Sequence, residues 1–241
     1  MRTVQYIRTW SKILAMPSPR RNISLDPSIE REPGTRNRMI AIAIEAIERG
    51  GEASVRVREI SDATGVSFAS MYHFFGVREG LIEAALIEMY IRSIVDLNGD
   101  IAAAIATSRT RDEFYDRFYE LCNLAFQQSQ SRRRFDRITG LAGTVGRPAL
   151  ARHIAAQQRA ALNVFVDVLR GPQERGWITP DLDLATYAAW LTSLSLGRVV
   201  IEIDAELNLA DDSSWNKMTV AALIAIAKGE LSLGVPALHP V

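Results

Sequence analysis

An all-α protein is the fold class that this sequence predicts, and three observations carry it. Apolar residues recur at three- and four-residue intervals from about residue 35 onward, glycines and a proline punctuate the periodic stretches, and no period-two run flanked by turn residues argues for a strand. Thr35 stands at a helix N-cap position before "RNRMIAIAIEAIERGG", where Ile40, Ala43, Ile44 and Ile47 share one face and Gly50 supplies the stop. In "VRVREISDATG", Val57, Ile60 and Ala63 lie three apart, predicting a short helix ended by Gly65. A third short helix starts from Ser67 as its cap and runs to about Phe74, where Gly76 breaks it. A long helix follows from about Arg78, with Leu81, Ile82, Ala85, Leu86 and Met89 at helical spacing.

The remaining pattern stays helical. "TRDEFYDRFYELCNLAFQQ" turns Phe114, Phe118, Leu121, Cys122 and Ala125 inward, and "RPALARHIAAQQRAALNVFVDVLRG" carries Pro148 in its first turn. "ATYAAWLTSLSLGRVVIEI" and "SWNKMTVAALIAIAKGEL" are two long apolar helices. Residues 1–34 hold four of the nine prolines with Arg20, Arg21 and Arg31, and read as a flexible extension. The expected division is 1–34 extension, 35–80 helix-turn-helix domain, 81–233 larger helical domain, and 234–241 C-terminal tail.

Composition bounds the function. Among 241 residues, 28 Lys+Arg balance 28 Asp+Glu, so any basic surface is local. The single Cys122 excludes an intrachain disulfide and a Cys-rich zinc site, and a cytoplasmic setting is expected. "YIRTWSKILAM" makes a poor signal peptide, and no apolar run is read as reaching membrane-spanning length. The histidines at 73, 153 and 239 lie far apart, so no metal constellation and no cofactor are expected. "SRRRF", residues 131–135, reads as a solvated helix face.

The helices around "TGVS" have the form of a helix-turn-helix, whose second member is free to enter a major groove. In "SFASMYHFF", Met71 and Phe75 are spaced to anchor that helix, and Phe74 is expected to be core as well. Ser67, Phe68, Ala69, Ser70 and His73 are left facing outward. Taken singly, Tyr72 and His73 are equally at home as half-buried packing residues and Arg78 as a solvated charge, so the constellation carries the reading.

Residues 35–84, with "REISDATGVS", "SMYHFF" and "REGL" in order, resemble the DNA-binding domain of the TetR family of bacterial transcriptional regulators. The resemblance implies that Tyr72 and Arg78 meet phosphates. It also implies that Ser67 and Ser70 offer hydroxyls to phosphates or base edges, that Phe68 and Ala69 lie over the groove floor, and that His73 reaches phosphate or base. Thr35 would bring the first helix N-terminus near the backbone, and Arg56 would substitute for a missing Ser/Thr cap at the second. Val77 and Phe68 depart from the family, which favours a capping residue at the first position and a polar or basic one at the second.

The resemblance further implies a homodimer and a double-stranded DNA operator. The chain would be a repressor of a palindromic site, released by a small-molecule effector. Ala185, Ala188, Ala189, Thr192, Ser193 and Leu196 on one helix, with Met218, Ala221, Ala222, Ala225 and Ile226 on the last, suit pairing, although a monomer core would use them equally. Phe118, Asn123, Phe126, Phe165, Trp177 and Trp190 are candidates to line an effector cavity, and aromatic stripes of this kind also build cores. The alternatives are an all-α enzyme or small-molecule binder, for which Cys122 and His153 show no triad-like order, and an interaction module without operator binding.

Overall fold

The computed structural model describes residues 34–203 and 212–231, except for the side chains of 95–104, 106, 212 and 213. The N-terminal extension and the C-terminal tail expected from the sequence lie outside the described residues, apart from Gly34. The described elements are helical throughout, with no strand among them. They are α1 (Thr35–Gly50), a 3-10 turn (Glu52–Ser54), α2 (Val57–Thr64), α3 (Phe68–Phe75), α4 (Arg78–Ala106) and α5 (Arg111–Phe126). A second 3-10 turn (Gln128–Gln130), α6 (Ser131–Ala142), α7 (Pro148–Glu174), α8 (Leu184–Gly197), α9 (Val199–Glu202) and α10 (Asp212–Lys228) complete them.

The chain forms two compact units. One holds the described residues up to Arg92 together with Asp136–Gln157, and the other holds Ser93–Phe135 and the described residues from Gln158 on. The division expected between residues 80 and 81 falls inside α4, whose first turns bury Leu81, Ile82, Ala85 and Leu86 completely or nearly so. Residue order alone does not reveal that 136–157 returns to the first unit. Within that unit α1 packs on the 3-10 turn and on α2, and α2 packs on α3. Thr35 opens α1 as its first helical residue and is not its cap. Gly34 takes the cap position without a side chain to offer, and the Thr35 hydroxyl accepts a hydrogen bond from Arg38 at 3.3 Å.

α6 approaches α4 closely. A methyl group at Gly140 would sit 3.2 Å from Cβ and Cδ2 of the buried Tyr90 and 3.4 Å from the Leu86 carbonyl oxygen. Tyr90 is held in turn by a hydrogen bond with Arg137, and burial raises its phenol pKa. Gly140→Ala should therefore lower stability by about 1 kcal/mol, since overpacking costs about 1–3 kcal/mol against a helix-propensity gain of about 1. Chemical denaturation checks it; an unchanged midpoint would mean that the helices separate freely.

The second unit centres on one apolar cluster of Ile105, Phe114, Phe118, Phe126, Leu169, Ile178, Tyr187, Val220 and Leu223, with α10 packed on α5. Phe114 and Phe118 stack at 5.7 Å, and the Tyr187 hydroxyl donates to the Leu223 carbonyl at 2.9 Å. The "SRRRF" run is not a uniformly solvated face, because Arg134 is only 2% exposed. Its guanidinium donates to the carbonyls of Ala125 and Gln127, each at 2.9 Å, and to both carboxylate oxygens of Glu202. Glu202 also accepts from Arg198 at 2.7 Å and from Ser131 at 3.0 Å, while Arg198 reaches Asn216 at 2.7 Å and lies over the Trp215 ring at 4.9 Å. A basic run reads as solvated only until a partner distant in sequence, here 68 residues away, takes up one member.

The 19-residue apolar stretch Leu184–Glu202 does reach membrane-spanning length and composition, contrary to the sequence expectation, with mean hydropathy 1.3 over its most apolar 18 residues. It contains the Arg198–Glu202 ion pair, and a third of it is buried. Its outward side carries Ala185, Ala189, Ser193 and Gly197, continued by the exposed Val200 and Ile203. Ala188, expected on that side, faces the interior at 1% exposure.

Candidate nucleic-acid interface

Local sequence chemistry shapes the helix-turn-helix. α2 ends at Gly65, which adopts φ 68°, ψ 17°, the left-handed conformation that glycine reaches without a Cβ penalty. The Ser61 carbonyl then accepts from the amides of Gly65 and Val66, and the Ser61 hydroxyl donates to the Val66 carbonyl at 2.5 Å. Extended backbone at Ser67 restarts the chain, and its hydroxyl accepts the Ser70 amide at 3.2 Å as the cap of α3. Met71, 1% exposed, seats α3.

Phe75, expected as the second anchor, is only half-buried and lies beneath the Arg36 guanidinium at 5.4 Å. Phe74, also expected to be core, is half-buried between His73 and Phe75, with ring centroids 5.9 and 6.2 Å away. A helix of two turns has too narrow a buried face for three large side chains, so Met71 alone takes it.

The outward side of α3 presents Phe68 at 47% and Tyr72 at 49% exposure, with Ser67 and Ala69 exposed and Ser70 and His73 half-buried. Beyond it Val77 is 54% exposed, so the family-atypical valine is solvent-facing. Arg56 occupies the N-cap of α2, is largely exposed and makes a 3.6 Å ion pair with Glu59; its side chain does not cap the helix.

Arg78 has an engagement that the sequence did not indicate. Its guanidinium donates to the carbonyls of Val55 at 2.8 Å and Glu52 at 2.6 Å, fastening the start of α4 to the segment before α2. The remaining terminal nitrogen lies 3.5 Å from Glu79. These bonds engage the guanidinium within the chain itself. Glu52 is also clasped by Arg147, at 2.9 and 2.5 Å, and this hydrogen bonding holds its carboxyl below the usual range despite partial burial.

The candidate effector residues separate. Phe118 and Phe126 are fully buried in the apolar cluster, and Phe165, Trp177 and Trp190 pack against it. Phe126 meets Trp215 edge-on at 5.2 Å, Trp190 lies 6.4 Å from Tyr187, and Trp177 stacks under Arg175 at 4.0 Å. Asn123 is half-buried on α5 outside that cluster. A recess of about 460 Å³ lies elsewhere in the second unit, lined by Arg111, Asp112, Tyr115, Asp116, Lys228 and Glu230. None of the candidate aromatics lines it, and the dense charges of "TRDEFYD" are its mark in the sequence.

Two short helices joined by a glycine turn, the second turning an aromatic and hydroxyl-bearing face outward, form a helix-turn-helix in a chain that also holds a larger helical unit. Residues 40–85 match the family model described as bacterial regulatory proteins, tetR family. The HTH-type transcriptional regulator BetI of Brucella canis is 36% identical over 87 residues, covering 36% of this chain and 42% of that protein, less than half its length. UidR of Escherichia coli, also an HTH-type transcriptional regulator, is 25% identical over 186 residues, covering 77% and 89% of the two chains. The solved structure of Salmonella enterica GusR superposes with a TM-score of 0.60 at 20% identity, over 83% of this chain and 98% of that one, a likeness of fold. The similarity to the tetR family is thus carried by the N-terminal domain, and over most of the remaining chain it is a likeness of fold.

Proposed function

We propose that the protein is a cytoplasmic, homodimeric transcriptional repressor that binds a palindromic operator through α3 and releases it when a small molecule occupies the larger unit. The observation that carries the reading is the seated but outward-facing α3, in which Met71 alone is fully buried. On this reading residues 35–80 are the operator-reading part of the chain and 81–233 the effector and pairing part. Tyr72 donates to a phosphate, and Arg56 with the uncapped amides of α2 meets another. Thr35 lies toward the backbone, and Arg78 positions the start of α4. The exposed apolar stripe of α8–α9, with Met218 at 68% exposure on α10, supports pairing with a second copy. Pairing would set two α3 helices about 34–36 Å apart, one operator turn. Effector binding that favours a different spacing would weaken DNA binding by population shift.

BetI, UidR and the matched family are all regulators, which supports a non-enzymatic role. Cys122 supports it too: it is 4% exposed and burial raises its thiol pKa strongly, which withholds the thiolate that a nucleophile needs.

Selection from a random duplex library, followed by binding measured at several salt concentrations, tests the proposal. One palindromic sequence class should be enriched. Arg56→Ala should weaken binding to all duplexes alike and reduce the salt slope by about one. Enrichment of no sequence would overturn the reading.

A further inference from the structure

α3 contains none of the side chains that read bases by paired hydrogen bonds. Its sequence, FASMYHFF, has no Arg, Lys, Asn, Gln, Asp or Glu. In the major groove those residues supply the two-point contacts to guanine, adenine and cytosine, and the one apolar feature on offer is the thymine C5-methyl group. The serines at the helix start are partly committed to each other. Ser67 Oγ accepts the Ser70 amide and lies 3.0 Å from Ser70 Oγ, so one of their two O–H donors is consumed internally. His73 is half-buried edge-on against Phe74, and Tyr72 carries a single hydroxyl. What the first turn of α3 presents most openly is apolar: Phe68, 47% exposed, and Ala69 beside it.

In a helix-turn-helix the first residues of the second helix are those that reach base edges. We infer that Phe68 is the specificity-determining residue and that it selects pyrimidine C5-methyl groups, so each operator half-site presents thymine where the first turn of α3 lies. This rests on the proposal that α3 enters the major groove. It also accounts for the family-atypical phenylalanine, since a bulky ring covers a methyl group that a polar side chain would leave wet, and covering it removes apolar surface from water. Because the C5-methyl of 5-methylcytosine occupies the same place on the groove floor, the same contact recognises a 5-methylcytosine·guanine pair.

The test uses the full chain and the operator recovered by duplex selection. Deoxyuridine replaces single thymines, removing the methyl and leaving the pairing intact. Wild-type protein should lose about fourfold in affinity at the contacted thymine, the worth of one buried methyl group, and Phe68→Ala should bind the thymine and uracil operators equally. At the same position a cytosine·guanine pair should bind less well than a 5-methylcytosine·guanine pair, again by about fourfold. The inference is overturned if wild type fails to distinguish thymine from uracil at every position, or if Phe68→Ala keeps the full discrimination. Should Phe68→Ala bind too weakly to measure, Phe68→Leu takes its place and should discriminate methylated from unmethylated cytosine less than wild type does. A selection that enriches no sequence counts against the proposed function itself, whereas an enriched operator with no methyl dependence counts against the role of Phe68.

Discussion

Glu202→Ala is expected to destabilise the second unit by about 3–5 kcal/mol, the cost of leaving buried guanidinium groups without their shared carboxylate. Glu202 and Arg134 side chains are each 3% exposed and that of Arg198 is 1%, so water cannot replace the lost partner. Thermal or urea unfolding measures the loss, and a stability change of less than about 1 kcal/mol would show that the site opens to water. Burial alone would raise the Glu202 pKa, but the hydrogen bonds from Arg134, Arg198 and Ser131 outweigh it and hold the pKa below the ordinary 4.5. A carboxyl depressed on folding contributes stability above its unfolded pKa and loses it as pH falls through the folded one. The wild-type advantage over Glu202→Ala should therefore be constant at neutral pH and shrink as the medium is acidified below about 4.5.

Met71→Ala should cost about 2–5 kcal/mol in the first unit and abolish operator binding, because α3 has no other fully buried residue to hold it. α3 is two turns long and cannot be helical in isolation, so its geometry depends on that seat. Circular dichroism of the variant should retain most of the helix signal, contributed by α4 to α10, while binding is lost. Retained binding would mean that Ser67 capping and the turn at Gly65 suffice to hold α3. Met71→Leu, which conserves volume, should restore both properties.

Much of this protein was legible in its residue order, and for local reasons. Gly65 ending α2, Ser67 capping α3, Arg56 standing where α2 has no capping side chain, and Met71 facing inward each follow from backbone conformation or helical spacing over a few residues. Such features are decided within one or two turns, and the match over residues 40–85 falls where local constraints are densest. The candidate effector residues were less legible because helical spacing reports only that a side chain faces inward. Phe118 and Phe126 do so and fill the core, while the recess bounded by Arg111, Tyr115 and Lys228 joins the start of α5 to the end of α10.

Periodicity, caps and glycine stops act between neighbours, so the helical class, the helix-turn-helix and the outward face of α3 are written in residue order. It took the folded chain to reveal that Arg78 fastens the Glu52–Val55 backbone, that Arg147 clasps Glu52, and that Arg134 and Arg198 share Glu202. A charged side chain has the same residue name whether it is solvated, held on a carbonyl or paired in the interior. What separates these outcomes is the partner brought near by folding, across 23, 95 or 68 residues of chain.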